Sequence, residues 1–92
     1  MSAASVRQLR RNPKIEQAPL QNEMMLFDPA QSKFFVLNQT MAFVWKSCDG
    51  GTPLGDIATR LIEEFRDVDL ERAIRDVQSA AAELTSLGLL LD

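Results

Sequence analysis

The sequence predicts an α+β domain: three short antiparallel strands near the N-terminus, then three helices. Three observations carry that expectation. Lys33-Phe34-Phe35-Val36-Leu37 is a short apolar run of strand character, and at Asn38 the pattern changes period. Met41, Val44, Trp45 and Cys48 then fall at i, i+3, i+4 and i+7, which is one face of a helix. Two more amphipathic stripes follow, each opened by a residue suited to a helix start and closed by a break or a glycine.

Composition sets the outer bounds. A chain of 92 residues with 46% apolar content makes one small packed domain, able to bury roughly 60–65% of the surface its unfolded chain exposes. Its single cysteine, Cys48, excludes an internal disulfide framework and lies on the apolar helix stripe, where cysteine behaves as a small hydrophobe. A reactive thiol there is the alternative. No apolar run approaches the roughly 18 residues of a membrane-spanning helix. The N-terminus carries Arg7, Arg10 and Arg11 without a continuous apolar segment, so it is not a secretory signal and the cytoplasm is the expected compartment. A net charge of −3 weighs against nucleic acid, whose binding surfaces are basic. With no histidine, no tyrosine and no glycine-rich phosphate loop after a strand, neither an enzyme nor a metal or other cofactor is expected.

In chain order, residues 1–12 read as a flexible, polar arm with scattered arginines, and residues 13–92 as the folded domain. Lys14-Ile15-Glu16-Gln17 is a weak first strand, limited by Pro19. Met24-Met25-Leu26-Phe27 is the second, apolar throughout and so expected to be covered on both faces. Asp28-Pro29 opens a type I turn that feeds Lys33 to Leu37, making an antiparallel hairpin. Along this third strand Phe34 and Val36 point one way, Phe35 and Leu37 the other. Phe34 reads as core more than contact, and Trp45 as core. In so small a sheet the third strand lies at an edge, where a partner strand can add.

The first helix starts at Asn38 as N-cap and stops at Asp49-Gly50-Gly51. Thr52-Pro53 suits the start of the second, with Thr52 as N-cap. Leu54, Ile57, Ala58, Leu61, Ile62 and Phe65 make its core stripe, opposite the solvated Arg60, Glu63, Glu64 and Arg66. After Asp67-Val68, Asp69 caps the third helix, whose main stripe is Leu70, Ile74, Val77, Ala81 and Leu84. A shallower stripe of Ala73, Ala80 and Leu87, bordered by Arg72, Asp76, Ser79 and Glu83, leaves room beside the helix. Either another part of the domain or a partner lies there. Gly88 stops the helix, and Leu89-Leu90-Leu91 returns to the core or pairs briefly as a strand. The helices span about 10, 13 and 18 residues by period and caps.

Three helices beside a short sheet make the domain winged-helix-like, an architecture that often binds DNA. A winged-helix transcription regulator is therefore the alternative function. Its recognition helix needs exposed cations, yet Arg60 and Arg66 are offset by Asp56, Glu63 and Glu64, and Arg72 and Arg75 by Glu71, Asp76 and Glu83.

Leu26-Phe27-Asp28-Pro29, the pair Phe34-Phe35, Leu37-Asn38-Gln39-Thr40, Val44-Trp45, Asp49-Gly50, Ile57-Ala58-Thr59-Arg60-Leu61, Asp76-Val77 and Leu87-Gly88-Leu89-Leu90 occur in an order and spacing that resembles the PqqD-like family. The resemblance covers Met24 to Leu91. The aromatic pair before Leu-Asn and the tryptophan in the first helix are similar to the small PqqD-like proteins of lasso-peptide clusters. Ala80-Ala81 departs from the pattern by replacing a bulkier apolar pair. The resemblance implies a recognition element for ribosomally made, post-translationally modified peptides, without catalytic activity of its own. Such a domain binds the leader segment of a precursor peptide and presents it to a separate processing enzyme. That enzyme is a cysteine leader protease in the lasso setting and a radical enzyme in other pathways.

The leader is then expected to add as a strand to Lys33, Phe34, Phe35, Val36 and Leu37, and to lie against Arg72, Ala73, Arg75, Asp76, Ser79, Ala80 and Glu83 of the third helix. Phe35 is expected on the groove side, with Lys33, Arg72 and Arg75 available to leader carboxylates. An open edge also allows self-pairing into a homodimer through Lys33 to Leu37.

Overall fold

The computed structural model of the protein describes residues 7–92. Its elements are β1 (Gln8–Arg11), β2 (Glu16–Pro19), β3 (Met24–Asp28), β4 (Lys33–Leu37), α1 (Gln39–Ser47), β5 (Asp49–Pro53), α2 (Leu54–Glu64), α3 (Leu70–Ser86) and β6 (Leu90–Leu91). The strands form two antiparallel three-stranded sheets, ordered β2-β3-β4 and β5-β1-β6.

The first sheet is the expected one. β3 and β4 pair from Met24↔Leu37 to Asp28↔Lys33, so the hairpin holds the register that its turn implies. The Asp28 carboxylate accepts from the Ala30 N–H at 3.0 Å and from Gln31 Nε2 at 2.7 Å. Those bonds satisfy a buried charge and fix the turn, in which Ser32 takes a left-handed φ of 53°. Two expectations need correction. The first strand lies at Glu16–Pro19, shifted by two residues and taking in the proline. β3 is covered on one face only: Met24, Leu26 and Asp28 are buried, while Met25 and Phe27 are half-buried on the other side.

The second sheet gathers segments that pattern alone read otherwise. Gln8–Arg11, expected within a flexible arm, forms β1 between β5 and β6 and buries Leu9. The expected arm's residues 1–6 lie outside the described residues. Asp49–Pro53, expected as a helix stop followed by a cap, is β5. The Thr52 hydroxyl donates to the Asp49 carboxylate at 2.9 Å, so it does not cap α2; Pro53 stands at the N-cap without a side-chain bond, and the helix begins at Leu54.

The helices are close to the expected lengths, at 9, 11 and 17 residues. Asn38 caps α1 by accepting from the Met41 N–H at 2.9 Å, and Asp69 caps α3 by accepting from the Arg72 N–H at 2.8 Å. Gly88, at a φ of +78°, ends α3, and the next N–H, of Leu89, returns to the Leu84 carbonyl at 2.9 Å. Buried Trp45 donates its Nε1 hydrogen to the Leu89 carbonyl at 3.2 Å, tying α1 to the chain beyond α3. Arg11 lies 5.7 Å over the Trp45 ring and donates to the Lys46 carbonyl, so β1 is held on α1 as well. Val44, Ile57, Leu61, Val77, Leu84, Leu89 and Leu90 complete the core between the three helices and the two sheets.

Candidate functional site

β2 and β4 are the two edges of the first sheet, and they differ. β2 ends in Pro19, which has no N–H to offer an added strand, and begins at the charged Glu16. β4 contains neither proline nor bulge, and among the described residues only β3 pairs with it. Its backbone therefore presents unpaired N–H and C=O groups along a short straight edge.

The turn before β4 and the residues just after it approach α3 at two different points. The β3–β4 turn lies near the helix end, where Gln31 Nε2 comes within 3.8 Å of the place a Cβ on Gly88 would occupy. The far end of β4 leads through Asn38 into a groove against the middle of α3. Asp76, Ser79, Ala80 and Glu83 form one wall, Asn38, Thr40 and Met41 the other, around about 250 Å³. Buried Ala80 keeps its wall low, and Met41 supplies an apolar, adaptable surface. Both charged residues of the lining are acidic.

Four of the expected helix residues thus meet in one groove. Arg72 stands at its margin and reaches the Asp76 carboxylate at 3.8 Å. Arg75 is exposed outside the lining, and Ala73 is fully buried, so it belongs to the core. On β4 the alternation is as expected. Leu37 is buried, Phe35 is half-buried against the core, and Lys33 and Val36 are exposed. Phe35 faces inward but lies outside the groove lining. Phe34, read as core, is 66% exposed on the outer sheet face, with its ring centroid 4.6 Å from that of Phe27. Sequence reasoning missed Thr40 and Met41 as groove residues and saw Asn38 only as a cap. The available signal was that the first turn of α1 continues directly from the edge strand.

Two other hollows exist. One of about 280 Å³ lies between the β2–β3 turn and the helices, with Leu20, Phe43, Lys46 and Phe65 in its lining. One of about 200 Å³ lies on the outer face of the first sheet, beside Met25, Phe27 and Phe34. The second takes in Phe34 of β4, but neither hollow includes a residue of α3. Among the described residues no group of His, Cys, Asp and Glu could hold a metal ion, and no helix is long and apolar enough to cross a membrane. Burial, with a smaller push from Asp49 and against a pull from Arg11, raises the Cys48 thiol to about 11. At neutral pH it remains protonated and unreactive. The Asp49 carboxyl is held below its usual range by the Gly51 N–H and then the Thr52 hydroxyl, a local turn and not a catalytic pair.

Residues 23–90 match the family described as coenzyme PQQ synthesis protein D (PqqD). Two solved structures share the fold. One, lasso peptide synthetase B1 complexed with the leader peptide, has a TM-score of 0.80 and 27% identity over 94% of this chain and 100% of that one. The other, TbiB1 in complex with the TbiA(beta) leader peptide, has a TM-score of 0.77 and 20% identity over 88% of this chain and 93% of that one. No curated protein sequence matches.

Proposed function

The chain belongs to the PqqD family, and we propose that it binds the leader segment of a ribosomally made precursor peptide and delivers it to a processing enzyme. The observation that carries this reading is the unpaired, proline-free edge of β4 beside the α3 groove. A peptide strand added there gains backbone hydrogen bonds from β4, while the groove selects among side chains. The similarity to two proteins whose structures hold leader peptides supports the same occupant. It favours a lasso-peptide pathway, with a separate cysteine leader protease as the receiving enzyme; in another pathway a radical enzyme takes that place.

In this reading the domain works in the cytoplasm as a binding module. It has no catalytic residue of its own, and its contribution is to concentrate and orient a substrate. The competing DNA-binding reading lacks a basic third helix: α3 carries Arg72 and Arg75 beside Glu71, Asp76 and Glu83.

Fluorescence polarisation of the purified domain with labelled leader peptides, encoded beside its gene, tests the proposal. Sub-micromolar binding to one leader, lost on scrambling its sequence, is expected. No binding by a folded sample would contradict it and would leave β4 as an edge for self-pairing between copies.

A further inference from the structure

From the charge of the groove we infer that the leader this chain accepts carries a lysine or arginine on the side facing α3, seated against Glu83 with Asp76 beside it. The inference rests on the proposed function and adds the chemistry that selects the leader.

Both charged residues of the groove lining are carboxylates, spaced seven apart and so two turns along one face of α3. They are not equivalent. Asp76 is half-buried and partly offset by Arg72 at 3.8 Å. Exposed Glu83 makes no ion pair with the described residues. It also sits in the last turn of its helix, where the macrodipole disfavours an acid and no basic residue compensates. Its carboxylate therefore does little for the fold, and it lines the groove that opens where β4 ends at Asn38.

The other lining residues suit a long cationic side chain. Met41 and Ala80 offer apolar contact to its methylenes, and the Asn38, Thr40 and Ser79 side chains supply polar partners around the head group. A leader with an acid at this position would instead meet two like charges, which makes the groove selective by repulsion as well as attraction.

The test uses the full domain and a leader that binds it, with each leader lysine or arginine replaced singly by glutamine. Exposed or partly exposed ion pairs are modest, so one replacement is expected to weaken binding by about two- to fivefold. The same replacement should have no further effect on Glu83→Gln protein. Glu83→Lys should weaken the unmodified leader by about tenfold or more, and changing that leader residue to glutamate should restore affinity. The coupling should shrink as salt rises.

A leader that binds with no lysine or arginine, or one whose replacements are all uncoupled from Glu83, overturns the inference while the proposed function stands. Failure of the wild-type domain to bind any leader overturns both. Glu83 is exposed, so circular dichroism is expected to show an unchanged fold in both variants.

Discussion

At the scale of single residues, Cys48 and Trp45 show how side chains that invite a functional reading are used by the fold. Cys48 is fully buried, and its carbonyl accepts the Arg11 N–H at 3.1 Å. Its raised pKa has a defined consequence for stability. The folded state keeps the thiol protonated after the unfolded chain has ionised, so this contribution is complete below about 9 and is lost as pH rises toward about 11. Denaturant titrations between pH 8 and pH 11, taken as order-of-magnitude bounds around the thiol's range, are expected to show stability falling more steeply in the wild type than in Cys48→Ala. Parallel slopes would mean that the thiol does not titrate differently on folding. Trp45 fills the core and also spends its one polar hydrogen on the Leu89 carbonyl, so its bulk and its donor are both accounted for internally.

At the scale of elements, β1 is the part that sequence patterning did not reveal. Gln8–Arg11 holds one apolar residue among three polar ones, and its partners come from far along the chain, Asp49 and Pro53 on one side and Leu90 and Leu91 on the other. A strand this short has almost no local period; its stability comes from long-range pairing and from the burial of Leu9. Leu9→Ala is therefore expected to cost about 2–5 kcal/mol in denaturant unfolding. A cost near zero would return Gln8–Arg11 to the status of a loose arm. The same physics explains β5: Asp49-Gly50-Gly51-Thr52-Pro53 has the composition of a helix stop and start, and becomes a strand because β1 is present to pair with it. The helices were legible because their periodicity and caps are local. Asn38, Asp69 and Gly88 act as their residue types predict, whereas the Thr52 hydroxyl turns back to the Asp49 carboxylate and Pro53 takes the N-cap of α2.

At the scale of the whole molecule, the described residues leave the β4 edge open near a groove. Much of that site could be read in advance. The β4 edge follows from its position in a small antiparallel sheet, and Asp76, Ser79, Ala80 and Glu83 follow from the small-residue stripe of α3. The remainder depended on where elements dock. Periodicity places Ala73 and Ala80 on one stripe, but only packing shows that Ala73 is sealed in the core while Ala80 borders the groove. Strand alternation separates Phe34 from Phe35 without saying which face is covered, and the outer face proves open. The proposed function rests on backbone recognition, and backbone recognition has a signature that side-chain substitutions cannot imitate. In a strand, successive N–H groups point to opposite sides, so only every second one of an added peptide bonds to β4. The most direct measurement is a polarisation titration with leader peptides N-methylated at one residue at a time. Strand addition predicts that binding is lost at alternate residues along the bound segment and kept at those between; loss without that alternation, or no loss at any residue, would contradict it.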